Sequence, residues 1–247
     1  MNKTLFRIKE NLLLLDMEST YNNIERYLKK AKIEKMTILE TLDLIFEQEA
    51  QARKKSIINH KIKMSGIQKG KTFETYDLAF SQTLNLKKIE SLKTLQFIDN
   101  KENVIIMGSS GVGKTHLASA LAVEAIKNKY TVLFVNFTRL LKTLILANHD
   151  GNVEEKLRLY SKYRLLVIDE IGYLSTTVEG ADLFYQLINM RYEKCATIIT
   201  TNRPLSMWQD IFKDPTLTLG ILDHLKHHCI TIKIEGDSYR LKGNKNN

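Results

Sequence analysis

Residues 103–121 read NVIIMGSSGVGKTHLASAL: an apolar run of strand type, a glycine-rich octapeptide and an alanine-rich helix, in that order. The octapeptide Gly108-Ser109-Ser110-Gly111-Val112-Gly113-Lys114-Thr115 matches the G-x-x-x-x-G-K-[ST] phosphate loop. Its glycines let successive backbone N–H groups turn inward on a phosphate, and the following helix aims its positive end at the same place. A bare match to eight positions arises by chance in loops; the strand before it and the helix after it make it a nucleotide site. Lys114 is then the ammonium that reaches the β- and γ-phosphates, Thr115 the hydroxyl that ligates Mg²⁺, and His116 the first residue beyond the loop.

Working outward, the texture from Asn103 onward alternates short apolar runs with amphipathic stretches. Strands are expected at 103–107, 131–136, 164–169, 196–201 and 229–234, with helices at 114–128, 138–148, 153–162, 179–194 and 215–227. Strands that are nearly continuous in apolar residues and separated by helices indicate a parallel sheet covered on both faces. Thr176 followed by Glu179 predicts a capping box at the start of one helix.

Two further signals carry chemistry. In LLVIDE, Asp169 and Glu170 close a buried strand; the first can hold Mg²⁺ through water, the second can take a proton from an attacking water. In TIITTNR, Asn202 ends the next strand, where an amide can orient that water or the γ-phosphate. Lys114, Glu170 and Asn202 are thus the catalytic candidates, and Thr115 with Asp169 the metal ligands. A water-activating carboxylate suits hydrolysis, and suits poorly a kinase that must exclude water. No N-K-x-D guanine-reading motif occurs, so the nucleotide is expected to be ATP.

The flanking sequence sets the surroundings. Residues 1–70 read as helical, with Ile38, Leu42, Ile45 and Phe46 at helical spacing; 71–102 read as a linker and a connecting helix from about Leu84 to Ile98; 103–247 form the ATPase domain. Lys and Arg number 37 against 28 Asp and Glu, a net charge of +9 that suits a polyanionic partner. Between Glu49 and Glu74 no acid interrupts Arg53, Lys54, Lys55, Lys61, Lys63, Lys69 and Lys71, so this run reads as a contact to a phosphate backbone. The longest apolar run near the start, Leu12 to Leu15, meets Asp16 at once, which fits neither a signal peptide nor a membrane span and predicts a cytoplasmic protein. Cys195 and Cys229 make no disulfide framework, and the adjacent His227, His228 and Cys229 are not expected to converge on one ion.

The runs ENVIIMGSSGVGKTHLA, LLVIDEIGYL, EGADLFYQLINMRYE, TIITTNRPLSMWQDIFKDP, ILDHLKHH and GDSYRL together resemble the IstB family of insertion-sequence helper ATPases. These are relatives of the DnaC-type helicase loaders within the AAA+ class. The resemblance implies a P-loop fold with a five-stranded parallel sheet in order 5-1-4-3-2 and a helical N-terminal region; Glu235 to Asn247, after the last expected strand, are too few for a full C-terminal lid. It also implies ATP and Mg²⁺ as cofactors and a homo-oligomer assembled with ATP on double-stranded DNA. The implied partner is a transposase, or a replicative helicase if the loader reading holds. One departure stands out: His224 occupies a position where relatives commonly carry an arginine that is a candidate for the finger reaching into a neighbouring subunit's site. Such a finger is worth on the order of 10³ to 10⁵ in rate, so Lys226, Arg203 or Arg240 is expected to take that role, or turnover is weak.

Overall fold

The computed structural model describes residues 3–77 and 85–239, and these form two compact units, Met1–Lys61 and Ile62–Asn247. The boundary expected at residue 70 therefore falls inside the second unit.

In the first unit the helical reading holds as α1 (Lys3–Leu14), α2 (Glu18–Ile33) and α3 (Ile38–Met64), whose last turn enters the second unit. Left-handed residues Asp16 and Lys35 (φ 53° and 52°) make the two turns. Thr37 and Glu40 form a reciprocal cap at the start of α3: the Thr37 N–H donates to Glu40 Oε2 at 2.6 Å, and the Glu40 N–H to Thr37 Oγ1 at 3.3 Å. The core is small, built on Leu12, Ile24 and Ile45 with Leu5, Met17, Tyr21 and Tyr27 around them. Buried Glu49 receives both the N–H and the hydroxyl of Thr20 at 2.8 Å, so a carboxylate from α3 satisfies an orphan donor in the first turn of α2. Of the stripe Ile38, Leu42, Ile45 and Phe46, only Ile45 is buried.

The second unit is a five-stranded parallel sheet. Its elements, in chain order, are α4 (Leu86–Lys93), α5 (Gln96–Asp99), β1 (Asn103–Gly108), α6 (Lys114–Lys127), β2 (Val132–Asn136), α7 (Phe137–His149), α8 (Val153–Ser161), β3 (Leu165–Ile171), α9 (Val178–Arg191), β4 (Ala196–Thr201), α10 (Gln209–Phe212), α11 (Pro215–Lys226) and β5 (Cys229–Ile234). The strand order is β2-β3-β4-β1-β5, which is the expected 5-1-4-3-2 read from the other edge. Alternate strand residues divide between two faces. Ile105, Leu166, Ile168 and Ile199 join α7, α9 and α11 in a core whose rings are Phe137, Phe184, Trp208 and Phe212. Their neighbours Val104, Ile106, Val167 and Ile198 are equally buried; on α6, Ala118, Ala120, Ala122 and Ala125 are all at 0% exposure, and their small side chains let that helix lie close to the strands.

Three local expectations change. The connecting helix breaks into α4 and α5 at Leu95, which adopts φ 64° and is itself buried. The N-cap of α9 is Thr177, whose hydroxyl accepts the Gly180 N–H at 3.1 Å; Thr176 is buried and its N–H donates to the Ile211 carbonyl at 2.8 Å, so it is no cap. The predicted helix to 194 stops at Arg191. Its guanidinium, almost wholly buried, donates to the carbonyls of Tyr160, Tyr163 and Ala196 and to Thr197 Oγ1, tying the end of α9 to the starts of β3 and β4. Burial without an acidic partner pulls its pKa down to about 10.

Residues 65–77 form a strap. The Phe134 N–H of β2 donates to the Ser65 carbonyl at 2.7 Å, Ile67 is buried, and the segment ends against the loop between β1 and α6. Among the described residues no helix is long and apolar enough to cross a membrane.

Candidate functional site

The loop from Gly108 to Thr115 links the end of β1 to the start of α6. Gly111 and Gly113 adopt φ 84° and 99°, a region costly for any residue with a Cβ, and the turn they make leaves Lys114 as the first helical residue. Lys114 is buried, and its ammonium donates to the carbonyls of Gly108 (2.8 Å) and Ser109 (2.6 Å) of its own loop. A cavity of about 240 Å³ opens over the loop, lined on one side by residues 110–116, on others by Glu170, Tyr173 and Tyr239, and by Lys71, Thr75, Tyr76 and Asp77 of the strap.

The acids expected at the end of β3 are beside it. The Thr115 hydroxyl donates to Asp169 Oδ1 at 3.1 Å, and Thr200 Oγ1 of β4 donates to the same oxygen at 2.5 Å. Glu170 sits at φ 67°, unusual for a residue with a side chain, and its N–H donates back to Thr200 Oγ1 at 2.9 Å. Its carboxylate accepts from Asn136 Nδ2 at 2.8 Å, while Asn136 Oδ1 caps α7 through the Thr138 N–H at 3.0 Å. Asn202 follows β4, and its Oδ1 is buried with no hydrogen-bond partner among the described residues. An orphaned acceptor, a folded-back lysine and a hydroxyl already paired with an aspartate form a donor set that fits a Mg²⁺–nucleotide phosphate group.

Sequence reasoning missed several residues around this centre. Thr200 and Asn136 position the two acids from neighbouring strands. Thr72 and Thr75 of the strap meet His116, whose Nε2 lies 3.0 Å from the Thr72 carbonyl and 3.1 Å from Thr75 Oγ1. Tyr76 packs edge-on against the His116 ring, with centroids 5.1 Å apart, and burial pushes its phenol up to about 12. Tyr173 shares a hydrogen bond with Ser110 at 3.0 Å, and the Tyr239 N–H donates to the Gly111 carbonyl at 3.0 Å.

The finger candidates are spread apart. His224 lies on α11 between Tyr185 and Tyr192, its ring centroid 5.7 and 4.5 Å from theirs, and its Nδ1 is buried. Lys226 is exposed on the same helix, and exposed Arg203 follows Asn202 with its Nε 3.4 Å from the Gly172 carbonyl. Arg240 lies outside the described residues.

The basic run also divides. Lys54, Lys55, Lys61 and Lys63 are exposed along α3, and Lys69 is exposed in the strap. Lys71 lines the nucleotide cavity. The Arg53 guanidinium donates to the Leu15 and Asp16 carbonyls at 3.3 and 2.8 Å, bracing the turn between α1 and α2.

A glycine-rich loop between β1 and α6, an acidic pair on β3 and a polar residue after β4, on a sheet with β1 between β4 and β5, define a P-loop NTPase of the AAA+ type. Solved structures share this architecture. AMPPCP-bound DnaA from Aquifex aeolicus superposes with a TM-score of 0.57 at 24% identity, covering 73% of this chain and 55% of that one. The DnaC helicase loader gives 0.52 at 21%, covering 60% and 87%. The family described as IstB-like ATP binding protein matches residues 10–247, and the chain belongs to it. A Pseudomonas aeruginosa relative described as the putative ATP-binding protein of insertion sequence IS21 is 39% identical over 92% of this chain and 86% of its own length. The corresponding protein of insertion sequence IS232 from Bacillus thuringiensis subsp. berliner is 38% identical over 84% and 83%.

Proposed function

We propose that this protein binds and hydrolyses ATP as a transposition helper, assembling with ATP on double-stranded DNA and recruiting or stimulating a partner transposase. The observation that carries the ATPase reading is the meeting of Lys114, Thr115, Asp169 and Glu170 at one end of the sheet. The transposition reading rests on membership of a family whose relatives come from insertion sequences.

In this reading Lys114 leaves the loop carbonyls and neutralises the β- and γ-phosphates. Thr115 and Asp169 would hold Mg²⁺, which when bound offsets charge on the phosphate oxygens. Glu170 takes a proton from the attacking water, with Asn136 fixing its carboxylate, and Asn202 offers the orphaned Oδ1 to the same water. The exposed lysines of α3 supply affinity for the DNA backbone without reading bases.

The test is a pair of variants measured for nucleotide affinity and for turnover. Lys114→Ala should lose ATP binding. Glu170→Gln should keep ATP and stall hydrolysis, because an amide cannot accept the proton. Parent-rate hydrolysis by Glu170→Gln would remove Glu170 as the base. Sizing with ATP, on duplex and on single-stranded DNA, separates this reading from a helicase loader: assembly only on single strands would favour the loader.

A further inference from the structure

We infer a second metal site, distinct from the Mg²⁺–nucleotide centre and built from Glu193, His227 and His228, that takes a borderline divalent transition ion such as Zn²⁺. The two histidines end α11 and lead into β5, while Glu193 lies in the turn between α9 and β4, so the three ligands come from two separate turns. One ligand atom from each lies within 4.8 Å of the others. Glu193 Oε1 is 3.6 Å from His227 Nδ1 and 4.0 Å from His228 Nε2, and the imidazole centroids are 4.3 Å apart. Ligands of a tetrahedral zinc sit about 3.3–3.5 Å from one another. The observed spacing therefore closes on an ion by side-chain shifts on the order of an ångström, and all three side chains are exposed and able to make them.

The backbone beneath the ligands is already fixed. Glu193 adopts φ 54°, a left-handed conformation in the turn that brings its carboxylate to the histidines. That turn is clamped by Arg191, which donates to the Ala196 carbonyl at 2.5 Å and accepts the Lys194 and Cys195 N–H groups on its own carbonyl. On the other side the His227 N–H donates to the Asp223 carbonyl at 3.0 Å, and the His228 carbonyl accepts the Asn103 N–H of β1 at 2.7 Å. Tyr192 Oη, 2.9 Å from His227 Nδ1, holds that ring toward Glu193, and the ion displaces this hydrogen bond when it binds. Two imidazoles and one carboxylate select zinc, cobalt, nickel or copper over the all-oxygen preference of Mg²⁺ and Ca²⁺.

Cys229 stands outside the cluster, its sulfur 4.0 Å from Thr231 Oγ1 and its thiol pKa raised by burial. The three adjacent residues His227, His228 and Cys229 thus do not make the cluster by themselves; the carboxylate that joins the two histidines is Glu193, distant in the chain. The site lies where β4 and β5 begin, at the end of the sheet opposite the phosphate loop. An ion there staples the α9–β4 turn to the end of α11 and stabilises the folded unit by mass action.

The experiment is a calorimetric titration of ZnCl₂ into the full chain, without an affinity tag, stripped with EDTA and free of nucleotide. One Zn²⁺ per chain is expected, with Glu193→Gln and His228→Ala each weakening the Kd about tenfold or more. The thermal midpoint should rise with Zn²⁺ in the parent and not in these variants. His149→Ala removes the other histidine facing a carboxylate, 3.7 Å from Glu179, and should leave the Kd unchanged. Absence of saturable one-to-one binding, or an unchanged Kd in both Glu193→Gln and His228→Ala, would overturn the assignment.

Discussion

The two units of this chain treat their apolar residues in opposite ways. The P-loop unit buries an aromatic cluster, the whole of β4, nearly all of β3 and even a guanidinium; the helical unit gathers its core around Leu12, Ile24 and Ile45 and leaves Leu14, Leu15, Ile38, Leu39 and Phe46 more than half exposed. The first is held by contacts between residues far apart in the chain, the second mainly by helices that each form locally and touch along a narrow seam. A site that must hold two acids and a hydroxyl within a few tenths of an ångström belongs on the first kind of scaffold. Exposed cations that answer only to charge can stand on the second.

That contrast can be broken at Arg191. Arg191→Leu would remove this donor from the part-buried carbonyls of Tyr160 and Tyr163 and the buried carbonyl of Ala196, at about 1–3 kcal/mol for a buried group, so the P-loop unit should lose about 3 kcal/mol while the helical unit keeps its own transition. Urea unfolding followed by Trp208 fluorescence reports the P-loop unit alone, since this is the chain's one tryptophan. An unchanged midpoint would mean that the buried guanidinium contributes nothing net. A smaller effect is expected in the other unit. Glu49→Ala removes the acceptor for Thr20 and should cost about 1–2 kcal/mol, seen in the helical transition by circular dichroism, with ATP affinity unmoved. A fall in ATP affinity would show that the two units are not energetically separate.

The smallest effect on folding should come from neutralising Lys54, Lys55 and Lys61 to Gln. Arg53 is left out because it braces the turn between α1 and α2, so its loss would mix stability with charge. If the three lysines meet phosphates, duplex affinity should fall equally on unrelated sequences, and the log–log salt slope should flatten by roughly 0.9 for each phosphate no longer neutralised. A salt titration with ATP present reads this directly, and an unaltered slope would move the DNA surface elsewhere.

What the sequence disclosed follows the same divide between local and distant order. The phosphate loop and the placing of Asp169 and Glu170 at the end of β3 were legible because each is a short pattern in a strand-to-helix context; the sheet order came only through the family resemblance. Thr200 and Asn136 were not, since they meet Glu170 across 30 and 34 residues, and in sequence one is a β-branched strand residue and the other an ordinary helix cap. The strap's contact with His116 spans 41 residues and carries no motif. Thr176 and Thr177 compete for the same cap, and only the Ile211 carbonyl, supplied by a helix after β4, decides between them.

The strap has one more consequence, at the margins of the sheet. An open parallel sheet offers unpaired amides along its outer strands, a standing template for another chain to add itself as a strand. Here the Ser65 carbonyl already takes the Phe134 amide on the outer side of β2. On the opposite margin Lys88 Nζ reaches the Thr231 carbonyl of β5 at 3.2 Å, and exposed Lys233 stands on the same strand. Both margins are blunted against templated growth. A backbone ladder running from one copy to the next would first have to displace these contacts at the two outer strands.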